Sequence, residues 1–473
     1  NAGRSCPSRA ALMTGMYHHK AGVGAMANPM GTLTAYQGFL NDSCMTIAEA
    51  LRSNGYATYM SGKWHIGNNR PHWPVDRGFE HSFFSKQGTN SYFYPNGNPQ
   101  TDLETMAIDS TYFIAPLVGY YNTVAFTDQA VRYISESKTD KPFFLYLAYT
   151  SPHWPLQALP EDIAKYKGVY DKGYETVREE RYNRMIQMGL LKPDWKISSR
   201  DSSVPPWKSL CDEEKTYWSK VMEVYAATVD RMDQGIGKVI AELERTNQLD
   251  NTLIMFLSDN GGCAEEPGKS LDYTKNLAEM GNAKSFISYG SKWANTSNVP
   301  FKKFKHFEHE GGISTPFLAR YPAIIKAGTL TTQAAHITDI MSTCLDVSNT
   351  QYPTSTNSKL RPLDGVSLLP AFKGENTVLN DTIFFEHLGF RALRLGEYKI
   401  VSVYPENVWS LYNIASDRTE TTNLSKAMPA KVTELDSIYQ KIAKRSNVTD
   451  WSIVSKLGSP GEMRRKAKNR DKD

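Results

Sequence analysis

The sequence predicts an α/β fold, a doubly wound sheet with helices on its faces. Two observations predict it. Apolar strand-like runs alternate with helical periodicity along the chain, and each of three such runs passes directly into a polar loop that offers Lys, His, Asp or Asn. In sheets of this kind ligands bind beyond the carboxyl ends of the strands, so those loops mark one candidate edge.

The elements follow in order. "SCMTIAEALRSNG" at 43–55 reads as a helix capped by Ser43, with Ile47, Ala50 and Leu51 on its apolar face and Gly55 at its end. The strand "YATYMS" follows and enters the loop "GKWHIG". "FFLYLAY" at 143–149 has strand length, and its unbroken hydrophobicity predicts burial on both faces. It ends in "TSPHWP". A long helix fits 213–246, because Met222, Tyr225, Val229, Met232, Ile236, Val239, Ile240 and Leu243 recur at helical spacing. "NTLIMFLSDNGG" is a further buried strand ending in a loop, and "EGGISTPFLARYP" leads into another. From about residue 375 the pattern changes. "TIFFEHLGFRALRLGEYKIVSV" and "VWSLYNI" read as antiparallel hairpin strands, and a helix fits 429–445. The expected division is therefore a large α/β domain over 1–374 and a smaller C-terminal subdomain over 375–473.

Composition narrows the function class. The chain has 473 residues with 40% hydrophobic and 22% charged, enough for a large core. A net charge of +4 gives no electrostatic case for nucleic acid. The basic end, "MRRKAKNRDKD", reads as a solvated tail. Five scattered cysteines, with no C-x-x-C, support neither a zinc ribbon nor a disulfide framework. No apolar run reaches the roughly 18 residues of a membrane helix. No signal peptide is visible, and the chain begins without Met.

The chemistry-bearing residues stand in a few strings. The first is Cys6, Pro7, Ser8, Arg9, then Thr14 and Gly15: C-x-P-S-R-x-x-x-T-G. A lone cysteine is usually core, but this string is long. Lys63 and His65 form K-x-H after a strand. His153 lies between two prolines. Asp259 and Asn260 put a carboxylate beside an amide oxygen, which suits an Asx turn or a hard cation. Lys302, Lys303 and Lys305 precede "EGG", and His306 and His309 lie at i, i+3 without a third ligand at zinc spacing.

The C-x-P-S-R string resembles the signature of the formylglycine-dependent (type I) sulfatases. "HHKAGVGAM" and "FKHFEHEGGISTP" look like its bacterial arylsulfatase branch, and the likeness runs from residue 4 to about 425. The resemblance implies an alkaline-phosphatase-like fold, with a large mixed sheet flanked by helices and a small C-terminal antiparallel sheet. It implies that Cys6 is oxidised to formylglycine by a formylglycine-generating or other sulfatase-maturing enzyme. It implies catalytic roles for Cys6, Arg9, Lys63, His65, His153 and Lys305. Asp259, Asn260 and the oxidised Cys6 would bind Ca²⁺, with Mg²⁺ or Mn²⁺ as alternatives. Lys302 and Lys303 read as solvated, and His309 as a residue lining the substrate pocket.

The expected reaction is hydrolysis of a small sulfate ester or sulfated glycan, in a periplasmic or secreted setting, with a cytoplasmic one as alternative. Rival readings are a phosphonate or phosphate ester hydrolase of the same superfamily, and an inactive fragment or sulfated-glycan binder. One departure stands out. The family's first strand ends in two metal-binding aspartates upstream of the cysteine, and nothing before Cys6 matches that strand. A functional protein is therefore expected to carry it upstream.

Overall fold

The computed structural model describes residues 2–94, 105–137, 141–267, 277–354 and 356–457. The basic tail at 463–473 lies outside the described residues.

Helix α1 (Ser5–Thr14) opens the chain and ends at Gly15, whose φ of 65° is left-handed and whose N–H caps the Ala11 carbonyl. Helix α2 (Ile47–Ser53) follows. Its cap is Thr46, not Ser43: the Thr46 hydroxyl accepts from the Glu49 N–H while the Glu49 carboxylate accepts from the Thr46 N–H. "TIAE" was the S/T-x-x-E signal for it, and such a cap contributes about 1 kcal/mol. Ser43 instead bonds Asn41.

Strands β1 (Ala57–Lys63), β2 (His81–Ser85), β3 (Met106–Ile108) and β4 (Thr111–Tyr112) lead to helix α3 (Asn122–Glu136) and strand β5 (Phe143–Ala148). Together these strands form a mixed sheet in the order β4-β3-β2-β1-β5, in which β1 lies parallel to both β2 and β5. The period-2 alternation of the strands decides which helix covers which face. Met60 and Phe84, both fully buried, pack with α1, α2 and the helix Asp339–Val347. Ser61 and Phe83 point the other way, toward α3: the Ser61 hydroxyl donates to the Phe126 carbonyl, and Phe83 packs on Phe126. The long helix Asp212–Arg245 packs in turn on α3.

Strands β6 (Ile254–Leu257) and β7 (Phe317–Arg320) pair antiparallel as a separate ribbon. Among the described residues, the edge of β5 away from β1 and the edge of β6 away from β7 have no strand partner. Both line a cavity of about 1640 Å³. This corrects the expected two-sided burial of β5. Phe143 to Leu147 are only half-buried, because the space beside them is open.

Strands β8 (Thr382–His387), β9 (Phe390–Leu395), β10 (Tyr398–Ser402) and β11 (Trp409–Asn413) form the C-terminal antiparallel sheet in the order β11-β10-β9-β8. One face sets Phe384, Leu393, Ile400 and Leu411 against Leu435, Tyr439 and Ile442 of the helix Pro429–Arg445. The other sets Ile383, Phe385, Ala392 and Val401 against Ile313. The sheet is thus held between its own helix and the "EGGI" turn of the larger body.

Candidate active site

Three strand ends supply the site. Lys63 is the last residue of β1, His153 lies five residues past β5, and Asp259 two past β6. All three line the same cavity. Helix α1 delivers Cys6 and Arg9 one turn apart, so the motif lies within the helix rather than ahead of it. The loop after β6 is held by backbone contact: Gly261 N–H donates to the Gly312 carbonyl at 2.9 Å. A Cβ at Gly261 would lie 1.9 Å from the Gly311 carbonyl oxygen, so the "DNGG" loop fits against "EGG" only with glycine there.

Arg9 is the hub. Its Nε donates to Asp259 Oδ2 at 3.0 Å and to the Ser5 hydroxyl at 3.0 Å, while one terminal nitrogen lies 2.9 Å from the same Oδ2. The other donates to the Lys63 carbonyl at 2.9 Å and to the Tyr146 hydroxyl at 3.1 Å. The Ser5 hydroxyl also donates to Asp259 Oδ2 at 2.5 Å. Every hydrogen bond and ion pair found for Asp259 therefore falls on one oxygen. Burial would raise the Asp259 carboxyl, but Arg9 and then Lys63 hold it well below the usual range. Burial, with Arg9 adding, lowers the Lys63 ammonium to about 7.

Cys6 is fully buried and its Sγ lies 3.1 Å from His65 Nε2. Burial pushes its thiol up to about 11, against the pull of Lys63. Such a thiol is not a ready thiolate nucleophile. Burial, then Lys63 and Arg9, keeps His65 neutral by pushing its pKa far below the usual value. Its backbone is left-handed, φ 57°, and Gly88 makes room for the ring: a Cβ there would lie 2.2 Å from His65 Cε1.

Lys305 stands opposite. Its ammonium lies 3.2 Å from His153 Nε2, 3.1 Å from Glu265 Oε2 and 3.5 Å from Cys263 Sγ. The His153 Nδ1 is 2.8 Å from the Trp154 carbonyl, an acceptor only, so Nδ1 carries the proton and Nε2 accepts from Lys305. Burial, then Lys305 and Lys63, lowers His153 to about 3. Glu265 also pairs with Arg4 at 2.7 Å and accepts from the Trp154 indole at 3.1 Å. Burial opposes its ionisation, but Lys305 and Arg4 bring it down to about 2.

The structure thus gathers Cys6, Arg9, Lys63, His65, His153, Lys305 and Asp259. Asn260 follows Asp259 on the cavity wall, with its Nδ2 donating to the Gly261 carbonyl at 2.8 Å. His309, expected to line the substrate pocket, makes its ring contacts with other residues. It is 5% exposed, and its ring packs 6.3 Å from Phe307 and 6.4 Å from Tyr412, centroid to centroid. Its neighbour Glu310 pairs with Lys399 at 2.7 Å and with Arg418. Nor are the other two lysines solvated. Lys302 donates to the Tyr412 hydroxyl at 3.1 Å and the Glu420 carbonyl at 3.0 Å, and Lys303 to Asp201 at 2.8 Å.

Sequence reasoning missed Ser5, Tyr146, Gly88, Cys263 and Glu265. Glu265 follows "DNGG" by three residues, and that proximity was the available signal. Ser5, beside Cys6, and Cys263, directly after "DNGG", had the same signal, whereas Tyr146 and Gly88 meet the site only through tertiary packing.

The site holds Arg9, Lys63 and Lys305 against Asp259 and Glu265, with one neutral imidazole beside Cys6 and a second beside Lys305. That is a pocket for an anionic group with proton acceptors at hand. Residues 1–350 match the family model described as Sulfatase, and residues 301–447 match that of the N-sulphoglucosamine sulphohydrolase C-terminal region. The chain is similar to a sulfatase of Schizosaccharomyces pombe, at 33% identity over 91% of this chain and 83% of that one. It is similar to the arylsulfatase of Klebsiella aerogenes, at 32% identity over 77% of this chain and 81% of the relative. Among solved structures it resembles Ps i-CgsB in complex with k-i-k-neocarrahexaose, with a TM-score of 0.67 and 26% identity, over 94% of this chain and 82% of that one.

Proposed function

The chain belongs to the sulfatase family and is a sulfuric ester hydrolase with an alkaline-phosphatase-like fold, and we propose that position 6 is its nucleophile once oxidised to formylglycine. The observation that supports this is the buried Cys6 side chain, touching His65 and ringed by Arg9 and Lys63, with a thiol too basic to attack as it stands. A hydrated aldehyde there would offer one hydroxyl to attack sulfur and a second to release sulfate.

The chain's own residues supply the rest. Arg9, Lys63 and Lys305 bind the sulfuryl oxygens and place positive charge where negative charge grows. His65 Nε2, within reach of the position-6 side chain, holds the proton taken from it. The leaving group's proton comes from the Lys305–His153 pair. His153 alone does not hold it at Nε2, since that atom accepts from Lys305; the bound anion draws the proton across. Glu265 and the Trp154 carbonyl fix the two partners.

A hard divalent cation suits the oxygen donors beside this cluster. Asp259, whose Oδ1 is left clear by contacts that all fall on Oδ2, and Asn260 would hold Ca²⁺, or Mg²⁺ or Mn²⁺, and the ion would supply Lewis acidity at the reacting oxygens. The substrate class is an aryl sulfate or a sulfated carbohydrate. This follows the arylsulfatase relative and the oligosaccharide-bound neighbour. Because Cys6 is fully buried in α1, the maturing enzyme must reach it before the chain folds.

The test is kcat/KM on nitrophenyl sulfate, sulfated oligosaccharides and phenyl phosphonate esters, using the full-length protein. Higher values on sulfates support the reading, and higher values on phosphonates reject it.

A further inference from the structure

Away from the active site, the turn that follows α1 and the end of β8 bring a second set of metal-ligating side chains together. Among the described residues, His18, His19 and Glu386 each offer one ligand atom, and all three atoms lie within 4.8 Å of one another. The side chains are deeply buried: His18 is 4% exposed, His19 1% and Glu386 3%. His387, next to Glu386 and 0% exposed, lies with its ring 6.1 Å from that of His18.

The polar atoms here are not satisfied by the protein. His18 Nε2, both ring nitrogens of His19 and both of His387 have no hydrogen-bond partner. Glu386 Oε1 accepts from the Gly389 N–H at 2.9 Å, but Oε2 has no hydrogen bond. His19 Nε2 approaches Oε2 to 2.6 Å without hydrogen-bond geometry. Buried polar groups are almost always paired, so several orphans in one pocket call for a common partner. Two imidazoles and a carboxylate with donor atoms this close together are the donor set of a first-row transition ion, not of Ca²⁺.

We propose that His18, His19 and Glu386 bind a structural Zn²⁺ ion, with His387 or a water as fourth ligand. The site is closed to solvent and has no group placed for chemistry. Its position gives it a mechanical role. It ties the segment just after the Cys6-bearing helix to the C-terminal sheet, joining His19 and Glu386, which are 367 positions apart. Metal binding of this kind stabilises only the folded state.

The test uses the full-length protein made in zinc-supplemented medium and passed through gel filtration. Metal analysis should find about one Zn²⁺ per chain, four-coordinate as structural sites are. The paired variant His19→Ala, Glu386→Gln should lose that zinc while keeping its Ca²⁺ content. Cobalt replacement of the zinc should give the intense visible absorption of a four-coordinate ion. This readout does not depend on the variants folding, and the oxygen donors of the active site do not produce it. Zinc well below one equivalent in the wild type, zinc unchanged in a folded variant, or a six-coordinate cobalt spectrum would overturn the proposal.

Discussion

Lys305 Nζ donates to His153 Nε2 at 3.2 Å, while His153 Nδ1 donates to the carbonyl of its neighbour Trp154 at 2.8 Å. The two residues are 152 positions apart. Under the proposed function both partners are needed to protonate a leaving group. Lys305→Gln and His153→Ala should each lower kcat on alkyl sulfates by about 10²–10⁴-fold, the range for losing a general acid. Nitrophenyl sulfate, whose leaving group needs little protonation, should lose much less. Equal losses on the two substrates would mean that the pair only binds the anion.

Position 6 gives a prediction in mass. Peptide mass spectrometry of active enzyme should show a loss of roughly 18 Da at Cys6, the change from thiol to aldehyde. Cys6→Ala should have no turnover. Full activity from a chain with an intact thiol would remove the formylglycine reading.

Gly88 has no chemistry of its own. Its Cβ in Gly88→Ala would meet His65 Cε1 at 2.2 Å, so the ring must move off Cys6. A shift of about 1 Å in such a group costs on the order of 10²-fold in rate. Steady-state kinetics should show that loss in kcat with KM little changed. Unaltered kcat would show that the His65 ring has room to adjust.

Glu308 predicts a pH effect on stability. It is 1% exposed, its Oε2 has no hydrogen bond, and burial raises its carboxyl to about 8. An unfolded Glu titrates near 4.3. Between roughly 4.3 and 8 the native state thus holds a proton that the unfolded state has released, and stability falls as pH rises. The Tm should decline from pH 5 to pH 8 by more in wild type than in Glu308→Gln. Parallel Tm profiles in the two proteins would refute the assignment.

The sequence by itself determined the local elements and singled out residues that the fold brings together. Periodicity placed the long helix at 213–246 and the structure has it at Asp212–Arg245. The C-terminal helix expected at 429–445 spans Pro429–Arg445. These are readings of nearest-neighbour physics, in which the side-chain period reports the buried face. The C-x-P-S-R string, K-x-H, His153, Asp259 and Lys305 were singled out through their likeness to the motifs of a known family, because each sits in a short string of chemistry-bearing residues. Tertiary structure decided what those residues touch. Only packing across 250 residues sets Arg9 on a single oxygen of Asp259. Only packing across about a hundred residues pairs Glu310 with Lys399 and Arg418. The half-burial of β5 likewise depends on what lies beside its free edge. A hydrophobic run fixes which groups avoid water, but whether they succeed depends on partners far along the chain, and no local pattern encodes those.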